Sequence, residues 1–173
     1  MYTRLLIPLD GSKTAEVALP YGRTLAGTLK IPVELLGVVD ISVLTSQVFH
    51  GSGYFETIIA ESLRSTEEYL KRIAKTFPGD RVKWTVEKGK AEEVIIEKAG
   101  SDATLTAMAT HGRSGINRLL MGSVAEKVLR SAINPLILIR ASEEANSEGL
   151  AVLKSVIVPL DGSELAETVF SPV

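Results

Sequence analysis

Leu5-Leu6-Ile7-Pro8-Leu9-Asp10-Gly11-Ser12 is the stretch on which the reading of this chain turns, because a strand, a turn and a helix start follow one another within it. The almost wholly apolar run Leu5 to Leu9 describes a strand buried on both faces, as in the middle of a parallel sheet. Asp-Gly-Ser is turn chemistry. Ser12 can cap a helix running to about Thr28, with Ala15, Ala18, Leu19 and Leu25 facing the sheet. Pro20 removes one hydrogen bond inside that helix and predicts a kink.

Strands and helices alternate outward from this point, and parallel neighbours need crossovers that are usually helices, so the pattern predicts an α/β fold with helices on both sheet faces. Val33 to Val39 reads as the second strand, followed by a loop from Asp40 to Gly53 of the length that often forms a lid, with His50 in it. Ile59, Leu63, Thr66, Leu70, Ile73 and Phe77 make one face of a long helix that Pro78-Gly79 ends. Val82, Trp84 and Val86 alternate with Lys83, Thr85 and Glu87, as in a strand near a sheet edge, and Trp84 is assigned to the core. A helix from Ala91 to Ala99, a strand from Ala103 to Ala109, a Gly-rich segment from His111 to Gly122, a helix from Val124 to Ser131 and a strand from Leu136 to Ile139 complete a unit of five strands and four helices.

The opening motif returns near the end as Ser155-Val156-Ile157-Val158-Pro159-Leu160-Asp161-Gly162-Ser163, and Ala15-Glu16 is answered by Ala166-Glu167. This repeat predicts one full domain over 1–140, a polar and exposed linker over 141–153, and the start of a second, truncated domain over 154–173. The lone second strand is expected to be disordered or to pair with an exposed edge. In 173 residues there is no Cys and there are only two His, His50 and His111, which excludes thiol catalysis and Cys-based zinc sites. Lys plus Arg number 19 against 21 Asp plus Glu, a net charge of −2 that draws the chain neither to nucleic acid nor to an anionic membrane. With no apolar run near the roughly 20 residues of a membrane span, and no leader-like start, a cytoplasmic location is expected.

In an open parallel sheet, ligands bind beyond the carboxyl ends of the strands where strand order reverses. Two loops carry suitable chemistry. Pro8-Leu9-Asp10-Gly11-Ser12 places a carboxylate at a strand end, which serves either a ligand or the turn itself. The segment Met108-Ala109-Thr110-His111-Gly112-Arg113 through Gly122-Ser123-Val124 has glycines that let amides approach an anion, then a Ser123-x-x-Glu126 capping box opening a helix. A helix N-terminus with unbonded N–H groups is a phosphate site. Arg113 reads equally as a ligand contact or a surface charge, Arg118 rather as a surface charge, and His111 has no nucleophile beside it and reads as loop structure rather than a base. Neither Gly-x-x-x-x-Gly-Lys-Ser/Thr nor Gly-x-Gly-x-x-Gly after the first strand is present, which weakens conventional ATPase and dehydrogenase readings.

Pro-x-Asp-Gly-Ser, Thr-His-Gly-Arg-Ser-Gly, and Gly-Ser-Val-Ala-Glu followed by Asn-Pro and an apolar strand together resemble a universal stress protein domain of the ATP-binding subgroup, from Thr3 to Arg140 and again from Lys154. The family's nucleotide motif places its later glycines on Gly112 and Gly122, with Ser123 following, and its first glycine on Ala109. The resemblance implies a Rossmann-like, three-layer sheet in the order 3-2-1-4-5, close to the adenine-nucleotide hydrolase-like group. It implies an ATP site made of Pro8, Leu9, Asp10, Val38, Met108, Ala109, His111, Gly112, Arg113, Gly122, Ser123 and Val124, with Mg²⁺ entering on the nucleotide. Asp10 would meet the ribose or adenine, Val38 and Met108 the base, and the glycines and the helix start the phosphates. It further implies a homodimer through Leu136 to Ile139, an apolar edge that proteins cover or pair. The expected function is a nucleotide-dependent stress-response module with little or no turnover and no assigned catalytic residue. The alternatives are a nucleotide-free dimerisation or docking module and, third, a hydrolase or transferase.

Overall fold

The computed structural model describes residues 2–42, 54–100, 103–112, 121–140 and 147–170. Its elements are β1 (Arg4–Pro8), α1 (Lys13–Glu16), α2 (Ala18–Leu29), β2 (Val33–Val39), α3 (Tyr54–Ala74), β3 (Val82–Lys88), α4 (Ala91–Ala99), β4 (Thr104–Ala109), α5 (Ser123–Ser131), β5 (Leu136–Ile139) and α6 (Glu164–Glu167). All pairings in the sheet are parallel, in the order β3-β2-β1-β4-β5. The strand alternation sorts the core into two layers. Leu5 and Ile7 of β1, and Leu9 just beyond it, pack with Leu35, Ala107, Leu19, Leu70 and Ile73 against α1, α2 and α3. Leu6, Leu36 and Met108 pack on the opposite face against Ile95 and Ala99 of α4 and Ala125 and Val128 of α5. A methyl on Gly22 would collide with Ile7, and one on Gly37 with Thr66, so these two glycines set how closely α2 and α3 lie on the sheet.

The first helix differs from expectation. It breaks at Val17 into α1 and α2, and Pro20 falls in the first turn of α2, where a missing N–H costs nothing within the helix. Ser12 caps as expected, its hydroxyl accepting from the Ala15 amide at 3.1 Å. Trp84 is not a core residue: it is 38% exposed because β3 is the outermost strand, and the Lys71 ammonium lies 6.0 Å from its ring centre.

At the amino ends of the strands, the Arg4 guanidinium joins Glu34 (2.6 Å), the Thr104 hydroxyl (3.0 Å) and the Lys98 carbonyl (2.6 Å), bridging β1 to β2, β4 and α4. Burial pushes the Glu34 carboxyl up, but Lys83, Thr85 and Arg4 together outweigh it and hold the group below the usual carboxylate range.

The segment expected to be an exposed linker is bound to the domain over Ser147 to Ala151, with Ala151 N–H donating to the Pro20 carbonyl at 3.1 Å. Beyond it, Val156 to Leu160 is exposed and pairs with no strand among the described residues. No helix among the described residues is long and apolar enough to cross a membrane.

Candidate functional site

Between β1 and β4 the chain leaves the sheet in opposite directions, and their carboxyl ends open a crevice. A cavity of about 470 Å³ lies there, on the face covered by α4 and α5. Its apolar part is Leu36 and Val38 of β2, Met108 and Ala109 of β4, Ala91 and Ile95 of α4, and Val124 and Ala125 of α5. Its polar part is Asp10, Thr110, His111, Gly112 and Ser123. An apolar slot with a few convergent polar groups is the usual composition of a small-molecule site.

Asp10 is held by its own turn: Oδ1 accepts from the Ser12 amide at 2.9 Å and the Ser12 hydroxyl at 2.6 Å. A methyl at Gly112 would run into Oδ2 of that carboxylate, so the glycine lets the second loop close against the first. Thr110 anchors both ends of the glycine segment. Its N–H donates to the Ile139 carbonyl at 2.9 Å, its carbonyl accepts from Gly122 at 2.9 Å, and its hydroxyl lies 2.9 Å from His111 Nδ1. A Cβ on Gly122 would stand 3.0 Å from that carbonyl, so this glycine is needed for a close approach and not for its ordinary φ of −64°.

The Gly122 amide bond also corrects the expected capping box. It starts α5 one residue early, with Gly122 as N-cap and Ser123 as the first helical residue. With Gly122 as N-cap there is no side-chain cap hydrogen bond, and Glu126 turns to Arg130 at 2.9 Å instead of reaching back. The amides of Ser123, Val124 and Ala125 have no carbonyl in their own helix to meet, and they open at the cavity wall with the positive end of the helix dipole. Ala109 ends β4 with no positive φ, so its methyl is accommodated without backbone strain.

A profile of the universal stress protein family matches residues 1–140. The chain belongs to the universal stress protein family. A universal stress protein of Methanocaldococcus jannaschii is 30% identical over 81% of this chain and 83% of its own length. Among solved structures, the universal stress protein UspA from Lactobacillus plantarum superposes with a TM-score of 0.68 at 21% identity, over 80% of this chain and 98% of that one. A universal stress protein in complex with cAMP superposes at 0.54 with 17% identity, over 82% and 98% of the two chains.

In this universal stress protein, Pro8, Leu9, Asp10, Val38, Met108, Ala109, His111, Gly112, Gly122, Ser123 and Val124 are brought together around the one cavity. Arg113, Arg118, His50 and the part of the expected lid beyond Ser42 lie outside the described residues. Sequence reasoning missed the α4 wall, Ala91 and Ile95. Their apolar spacing says only that α4 packs on something. A second cavity of about 820 Å³ lies on the other side of Asp10, against α3, and includes Asp40, Tyr69 and Arg72. Burial, followed by the charge of Glu16, pushes the Tyr69 phenol up, so it remains a neutral hydroxyl.

Proposed function

We propose that this universal stress protein binds ATP in the 470 Å³ cavity as a regulatory stress-response module that turns its nucleotide over slowly or not at all. One observation carries the reading: an apolar slot, the Asp10 carboxylate and the uncapped N-terminus of α5 meet in a single crevice. The base fits the slot between Val38, Met108 and Ile95, a ribose hydroxyl can donate to Asp10, and the phosphates meet Gly112 and the first-turn amides of α5. Mg²⁺ would arrive on the phosphates. The relative of the same fold solved with cAMP supports an adenine nucleotide as the class of ligand. We propose further that the protein is a cytoplasmic homodimer joined at β5, an edge strand whose Leu136, Ile137 and Leu138 are only part-buried.

The test is to denature freshly purified protein, identify released nucleotide by mass spectrometry, and titrate the emptied protein with ATP and Mg²⁺ by calorimetry. Gly122→Val is a poor control, since its side chain also meets the Thr110 carbonyl. Ser123→Glu is a better one. Ser123 is exposed, an acidic residue in the first turn favours the helix, and the added charge opposes phosphate. ATP affinity should fall about tenfold or more while the melting temperature holds or rises, about 1.4 kcal/mol per decade. No released nucleotide and no heat at millimolar ATP would defeat the reading. For the dimer, Ile137→Lys should convert a sedimenting dimer to monomer.

A further inference from the structure

Arg23 in α2 is only 6% exposed. Its guanidinium bonds the Thr76 carbonyl at 3.1 Å and hydroxyl at 2.6 Å on one side. On the other side one nitrogen donates to the carbonyls of Ser147 (2.9 Å) and Gly149 (3.0 Å), and the Phe77 ring centre lies 5.1 Å away. A buried cation is tolerated only when its donors are matched. Half of these acceptors come from a segment that has no helix or strand and lies more than a hundred residues further along the chain.

That segment is held reciprocally. The Ala151 amide donates to the Pro20 carbonyl at 3.1 Å, and the Thr24 hydroxyl donates to the Ala151 carbonyl at 2.8 Å. Leu153 then lines a groove of about 290 Å³ between Tyr21 and Leu25 of α2 and the edge strand β5. Gly149 has φ +72°, a conformation that presents its carbonyl to Arg23 and that a branched residue resists.

We propose that the face of α2 around Arg23 is a socket for the 147–153 segment of this same chain, and that it fixes the point from which the second copy of the Pro-Leu-Asp-Gly-Ser motif departs. Ser155 follows Leu153 by two residues, a reach of at most about 7 Å. Whatever the second copy builds therefore begins beside α2 and β5. The joining segment is a strap, with little of the freedom that a polar linker of its length would have.

The test uses the full chain. Amide exchange resolved by NMR should show Ala151 exchanging at least tenfold more slowly than Ile157, and a Glu-specific protease should cut slowly after Glu148. Arg23→Lys, which cannot bridge Thr76 to both strap carbonyls, should raise both rates towards those of free chain. Gly149→Val should do the same without touching the domain, because nothing among the described residues lies within 4 Å of its Cβ position. It decides the matter if Arg23→Lys fails to fold. Equal exchange at Ala151 and Ile157 in the unmodified protein, or cleavage unaltered in Gly149→Val, would overturn the socket.

Discussion

The two copies of Pro-Leu-Asp-Gly-Ser have the same turn and opposite surroundings. In both, the serine amide donates to the aspartate Oδ1 at 2.9 Å, and the serine hydroxyl accepts from the alanine amide three residues on at 3.1 Å. Ser12 has φ −84° and ψ 150°, Ser163 φ −84° and ψ 149°, and the glycines before them have φ of +83° and +81°. The strands ahead of them diverge. Leu6 is fully buried between β2 and β4, whereas Ile157, which occupies its place in the repeat, is 91% exposed and in no strand. Turn and cap are therefore local properties of a few residues, while the strand is conferred by neighbours that supply hydrogen bonds and bury its faces.

The largest test of that distinction compares equivalent truncations. Leu6→Ala should cost about 2–5 kcal/mol in chemical denaturation, as for other fully buried leucines. Ile157→Ala should change stability by less than about 0.5 kcal/mol. A comparable loss at both sites would mean that the second copy is packed in solution.

A second contrast lies at the start of each strand, where Arg4 of the first copy is replaced by Ser155. Arg4 depends on Glu34, so Glu34→Gln should destabilise the domain by about 1.5–3 kcal/mol at neutral pH, the usual range for a hydrogen bond to a charged group. The folded Glu34 carboxyl titrates below its unfolded value, so its contribution is present above about pH 4.5 and is lost as the pH falls through the folded pKa. Denaturation midpoints followed down in pH should show a loss that Glu34→Gln lacks.

These contrasts also explain what could be read from the sequence. Apolar runs flanked by turn residues placed four of the strands and alternation placed β3, and β2 was expected at the bounds it has, because burial on both faces leaves a continuous signal. The site's loops were legible because glycine, aspartate and serine at strand ends have few other uses. Features that depend on a partner distant in sequence were not legible. The start of α5 just after the Gly122 cap is set by the Thr110 carbonyl, and the bound strap by Arg23. Nothing within a few residues of any of these reports it.

Removing the cap serine from each copy gives a smaller effect. Ser12→Ala should cost about 1 kcal/mol of global stability, the usual value of an N-cap. Ser163→Ala should leave the global midpoint unchanged while the helical shifts of α6 disappear from NMR spectra, since no tertiary contact buries that helix.

The smallest effect reads the turn alone. Asp161 is held below the usual carboxylate range, first by the Ser163 hydroxyl and then by the Ser163 amide, both of which favour its charged form. Ser163→Ala deletes the hydroxyl and keeps the amide, so the Asp161 titration followed by NMR should move part of the way up towards that of a free aspartate. If the turn is as local as its geometry indicates, that shift will also appear in a short peptide spanning Pro159 to Glu167. A peptide whose Asp161 titrates normally before the substitution would show that even this turn draws on the folded domain, and the separation between local turn and conferred strand would have to be given up.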